Sequence, residues 1–277
     1  MDVGLLMFVG GIAAGAFGSL LGLGGGLLIV PLLTFGFGLP LREAVGVSLV
    51  CVIVTSSAAA GVYLERRQAN LRLGMTLELF TAMGAIAGGL VAFLIDERIL
   101  AGLFAVLLVY VATTMLRGSS ATVEDAEPAA ATDAVAGAPG GTQAALGASL
   151  GDQRLQRVPA GLAGSVGAGV VSALLGIGGG LIKVPVMHLV MGVPLRVATA
   201  TSNLMIGITA SASAMVYLLR GGIDVNAAGP TAVGVFVGAS IGSRVGGRVN
   251  LRLLRLLFVG VLLFTAFEMA RRAVGLS

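Results

Sequence analysis

The chain has 277 residues, of which 57% are apolar, 44 are Gly and only 11% are charged, against roughly 25% charged in an average soluble domain. With a mean hydropathy of +1.02, one core of this size could not hide so much apolar surface from water, which excludes a soluble enzyme, a disordered chain and a secreted disulfide scaffold. The basic residues behind the net charge of +4 are 16 Arg and one Lys, scattered at the ends of apolar runs as in loops flanking membrane helices, so the charge implies no nucleic-acid partner.

A membrane helix needs about 20 apolar residues. In chain order the runs between charges are 4–36, 42–64, 75–95 and 98–116, then 158–191, 195–219, 226–247 and 251–272. The N-terminus has no basic region before its first apolar stretch, so a cleaved signal peptide is not expected. The runs 4–36 and 158–191 are too long for one crossing and short for two: 33 helical residues reach roughly 50 Å, against a hydrocarbon core of about 30 Å. Each carries a glycine cluster in its interior. Residues 118–156 are rich in Ala and Gly and hold five of the thirteen acidic residues, which predicts a flexible polar linker.

A shift of 154 positions aligns LLGLGGGLLIVP (20–31) with LLGIGGGLIKVP (174–185), then GLPLREA (38–44) with GVPLRVA (192–198) and VYLER (62–66) with VYLLR (216–220). Over 20–66 there are 23 identities in 47 positions. Such an internal duplication is a common architecture of secondary transporters. The expected fold is an all-α polytopic membrane protein of two homologous repeats, about four segments each: 1–117, the linker 118–156, and 157–277. If each long run crosses once, the repeats are parallel and Arg divides nine inside to seven outside. If each folds back at its glycines, the second repeat is inverted and the split becomes eleven to five. The positive-inside rule favours the inverted scheme.

Consecutive glycines weaken a helix and expose backbone amides, and broken helix at membrane depth is tolerated only where protein or a water-filled cavity satisfies the freed groups. A helix restarting after Gly24, Gly25 and Gly26, or after Gly178, Gly179 and Gly180, would aim free N–H groups and its positive dipole end into that cavity, a site for an anion. The competing reading is close helix packing, which Gly11, Gly15, Gly18, Gly161, Gly164 and Gly167 fit well. Lys183, the one lysine, lies inside an apolar run. A cation at that depth is expensive, and it is expected to add charge to the anion site; its repeat partner is Ile29, so the site would be asymmetric. Ser48 aligns with Ser202 and Thr55 with Thr209, and Asn203 follows. These groups could bind an oxyanion's outer oxygens or bridge helices.

Glu78 and Glu268 fall within a turn or two of expected helix ends, and no paired carboxylates sit mid-membrane, so neither a proton relay nor a cation site is visible. No P-loop is present, and the lone Cys51 and lone His188 supply no metal-ligand or catalytic set. No cofactor and no enzyme activity are expected.

With G-x-GGG-x₄-P placed twice, each followed by G-x-P-L-R and an Ala/Ser/Thr-rich helix, the chain resembles the TauE/SafE family of sulfite-exporter-like permeases across both halves, about 4–116 and 158–272. The resemblance implies a multi-pass protein of the cytoplasmic membrane that moves sulfite, sulfonates or related sulfur anions. It carries over the two glycine motifs, Pro31 and Pro185, and the hydroxyl-bearing helices. An anion channel and a membrane scaffold or anchor subunit are the rival readings, and a homo-oligomer is compatible with all three.

Overall fold

A computed structural model describes residues 3–20, 26–65, 71–116, 158–245 and 251–275. Among these residues the protein has no strand. Its helices are α1 (Val3–Leu20), α2 (Gly26–Pro31), α3 (Leu41–Glu65), α4 (Leu71–Leu94), α5 (Glu97–Leu116), α6 (Val158–Leu175), α7 (Gly180–Pro185), α8 (Leu195–Leu219), α9 (Val225–Val245) and α10 (Leu251–Val274). The predicted linker and the residues Gly24 and Gly25 lie outside the described residues.

Length and composition make α4, α5, the stretch Val197–Leu219 of α8 and Val225–Gly242 of α9 competent to cross a membrane. The long runs are each divided at their glycines into two shorter apolar helices. α2 and α7 both end at a proline and continue as a π-helical turn, Leu32–Gly36 and Val186–Val190. Proline lacks the N–H for the next i→i−4 bond, and the wider turn follows at that break.

The chain doubles back at each division. In the second half, a Cβ added at Gly161 near the start of α6 would strike Met191, beyond α7, and one at Gly164 would strike Val186. In the first half, Gly10 of α1 sits against Leu32 in the same manner. The glycines that suit close packing thus divide in use: Gly161 and Gly164 line the fold-back, Gly11 and Gly15 line a helix seam, and Gly167 has open space around it.

Each doubled segment packs against a helix from the other half: α1 against α9, and α6 against α4. Both seams are made by glycine. A Cβ at Gly84 would collide with the Val166 carbonyl, and one at Gly238 with the Ile12 carbonyl. Lipid offers little solvophobic drive for helix association, so backbones brought this close are held by dispersion contacts along small-residue stripes. α3 packs on α8, and α5 on α10. The apolar side chains left over, such as Leu79, Val106, Leu219 and Phe264, face outward, as they must where the solvent is hydrocarbon.

Candidate functional site

The second glycine cluster forms a tight turn between α6 and α7. Gly176, Gly178 and Gly179 have φ of 70°, 80° and 78°, left-handed values that cost a residue with a Cβ roughly 1–2 kcal/mol each. This is why the run is glycine: close approach alone would need fewer. The Gly179 carbonyl accepts the Ile182 and Lys183 N–H groups at 3.1 and 3.0 Å, and no side chain caps α7. Two buried hydroxyls flank the turn, Ser172 and Ser202, whose Oγ atoms have no hydrogen-bond partner. They lie 3.5 and 3.7 Å from where a Cβ on Gly179 and on Gly180 would stand.

The described end of the first cluster, Gly26, reaches the same place. Gly26 opens α2 beside the Gly176 carbonyl, with Ser48 of α3 between them. The Ser48 hydroxyl is 2.7 Å from the Gly176 carbonyl and 3.1 Å from that of Gly26. Its proton is therefore committed to backbone, and its role is to tie the second glycine turn to the start of α2.

One helical turn beyond Gly179, Lys183 is 2% exposed. Its ammonium donates to Glu78 Oε2 at 3.1 Å and to Thr209 Oγ1. Thr209 Oγ1 lies 2.6 Å from Glu78 Oε1 and 3.1 Å from the Met205 carbonyl. Glu78 is 5% exposed. The three side chains come from α4, α7 and α8, so this polar centre is shared between the halves. Two buried charges are tolerated here because each is paired and the remaining lone pairs are hydrogen-bonded.

Sequence reasoning missed Glu78. The charge-bounded apolar run begins at residue 75, whereas α4 begins at Leu71, which sets Glu78 two turns inside the helix. The signal that could have found it is the lone lysine: a cation at depth needs an anion, and few carboxylates lie within apolar runs. Glu268, another such carboxylate, sits 3.2 Å from Arg271 near the end of α10. The remaining expected site residues are dispersed. Thr55 bonds back to its own helix at Cys51 and Val52, and Asn203 is half-buried in α8 one residue after Ser202. The His188 Nδ1 donates to the Val193 carbonyl at 2.9 Å, tying down the turn after α7.

Apolar helices throughout the described residues, two of them short and beginning at Gly26 and Gly180, with a charged centre where α4, α7 and α8 meet, define a polytopic membrane transporter. The chain belongs to the family described as "Sulfite exporter TauE/SafE", whose sequence model matches residues 7–269. It is 25% identical over 230 residues to the probable membrane transporter protein YunE of Bacillus subtilis, covering 79% of this chain and 80% of that one. It is 27% identical over 219 residues to the probable membrane transporter protein MJ0441 of Methanocaldococcus jannaschii, covering 77% and 72%. A third similarity, 30% over 236 residues, is to the probable membrane transporter protein MamO of Paramagnetospirillum magneticum, of which the match spans 35%. No solved structure matches the chain significantly.

Proposed function

We propose that this transporter is a permease of the cytoplasmic membrane for small sulfur-containing anions, sulfite, sulfonates or related oxyanions, and that it works by alternating access between its two halves. The observation that carries the reading is the buried ammonium of Lys183 one turn beyond a left-handed glycine turn, with the unpartnered hydroxyls of Ser172 and Ser202 beside that turn. Hydroxyls, backbone amides and one cation are the donors that a small oxyanion requires, and their burial makes each contact stronger than in water. In this reading the anion rests at Gly178–Gly180, with Gly24–Gly26 closing the site from the first half.

The reading takes the two halves as inverted repeats. Contacts that recur after a shift of 154 positions support the duplication, Gly84 with Val166 and Gly238 with Ile12, Gly10 with Leu32 and Gly164 with Val186, and the fold-back of each long run is what favours inversion. Rocking of one half on the other would then open the shared site to either side in turn.

Uptake of labelled sulfite into proteoliposomes, in competition with thiosulfate, sulfate, sulfoacetate and chloride, tests it. Saturable flux that one sulfur anion blocks better than chloride is expected, weakened at least tenfold in apparent affinity by Lys183→Ala combined with Glu78→Ala. Unsaturated conduction with single-channel currents would instead make the protein a channel, and no flux of any anion through folded protein would end the permease reading.

A further inference from the structure

We propose that Glu78 is a proton-binding site and that the protein moves one proton together with each singly charged anion; this rests on the reading of the chain as an anion permease. The starting point is charge balance. Lys183 and Glu78 form a neutral pair, 3.1 Å apart and cut off from solvent. An anion that comes to Lys183 would leave the centre with a net negative charge, which is expensive in a medium of low dielectric. Protonation of Glu78 restores neutrality: the carboxylate takes one proton from the water that admits the anion, and the ammonium exchanges its carboxylate partner for the anion. No bond other than the O–H changes, and charge is conserved at every stage.

Thr209 is placed to serve both protonation states. Its single hydroxyl proton has two acceptors in reach, Glu78 Oε1 at 2.6 Å and the Met205 carbonyl at 3.1 Å. When Glu78 is ionised, the hydroxyl donates to it. When Glu78 is protonated, its new O–H donates to Thr209 Oγ1, whose own proton turns to Met205. Lys183 donates to Thr209 in either case. The carboxyl group therefore never loses its buried hydrogen bond, and a rotation of one hydroxyl replaces a rearrangement of helices.

α6 and α8, the helices packed most closely on α4, carry no carboxylate. α6, which packs along α4, has no ionisable side chain. α8 carries Arg196 in its first turn and Tyr217 near its end, the latter donating to the Ala173 carbonyl at 3.0 Å. α7 and its π-helical turn carry Lys183 and His188, and α4 adds the exposed Arg72.

The test loads proteoliposomes with a pH-reporting dye, clamps the voltage with potassium and valinomycin, and imposes gradients of sulfite, thiosulfate and methanesulfonate in turn. Methanesulfonate cannot bring a proton of its own, which separates coupling from permeation of a weak acid; liposomes without protein give the background. About one proton per monoanion is expected, with flux of the monoanion unaffected by voltage, and Glu78→Gln is expected to bring that ratio near zero. Wild-type anion flux with no accompanying proton overturns the coupling while the permease reading survives, and a Glu78→Gln protein that still moves protons with its anion overturns Glu78 as the proton site. If Glu78→Gln does not elute as a single folded species, the wild-type ratio decides alone. Absence of any anion flux in folded wild type overturns both readings.

Discussion

Ser48, in the first half of the chain, holds the Gly176 carbonyl of the second half at 2.7 Å. The contact spans 128 residues, and the same hydroxyl reaches the start of α2 at Gly26. Ser48→Ala takes the hydroxyl donor from the buried Gly176 carbonyl, at a cost of about 1–3 kcal/mol. Thermal unfolding in detergent should show a lowered midpoint; an unchanged midpoint would mean that another donor satisfies that carbonyl.

Buried pairs respond to single and double removal in opposite ways. Lys183→Met leaves Glu78 without its counter-charge and is expected to cost about 3–5 kcal/mol, whereas Lys183→Met with Glu78→Met should recover much of that loss. Unfolding of the wild type, both single variants and the double variant gives the coupling energy. A double variant as damaged as the sum of the singles would argue that the two residues do not interact in the native protein.

At the turn, Gly178→Ala meets two obstacles, a left-handed φ of 80° and the Ile206 Cγ2 and Val52 Cγ1 atoms 2.7 and 2.8 Å from the new Cβ. About 1–2 kcal/mol of backbone strain is expected, before any repacking. Gly167→Ala, in mid-helix with open space around it, should instead stabilise by about 0.5–1 kcal/mol. The prediction lies in the opposite signs, read from the same melting experiment.

The helix seams give a matched pair. Gly84→Val on α4 and Gly238→Val on α9 each drive a side chain into the backbone of the facing helix. Overpacking of this kind costs about 1–3 kcal/mol, and both variants should lose folded yield to a similar degree. A tolerant Gly84 beside an intolerant Gly238 would show that the α4–α6 seam can spread where the α1–α9 seam cannot.

Much of the fold is legible because membrane solvent leaves a strong imprint. Apolar runs and their charged ends locate the helices, and glycine runs locate the breaks, since a run of glycines has few other uses. Lys183 announces itself by charge at depth. Glu78 does not, because in a one-dimensional reading its distance from Arg72 looks like a helix end, while its real depth depends on where α4 begins. Nor can the sequence tell which hydroxyls are spoken for. Ser48 and Ser202 occupy equivalent repeat positions, yet the first is clamped to two carbonyls and the second has no partner for its hydroxyl; that difference arises only from how the turns meet in three dimensions.

The seams also dictate an order of assembly. α1 is the earliest of the described helices and α9, its partner, the last but one, ending at Val245, so the seam between them can close only after the intervening helices have been made. The glycine face of α1 has nothing to grip during that interval. α4 meets α6 much sooner and can serve as the nucleus around which the remaining helices gather. Truncating the chain before α9 should therefore leave the glycine face of α1 uncovered, with only its fold-back onto α2 and the following turn to hold it.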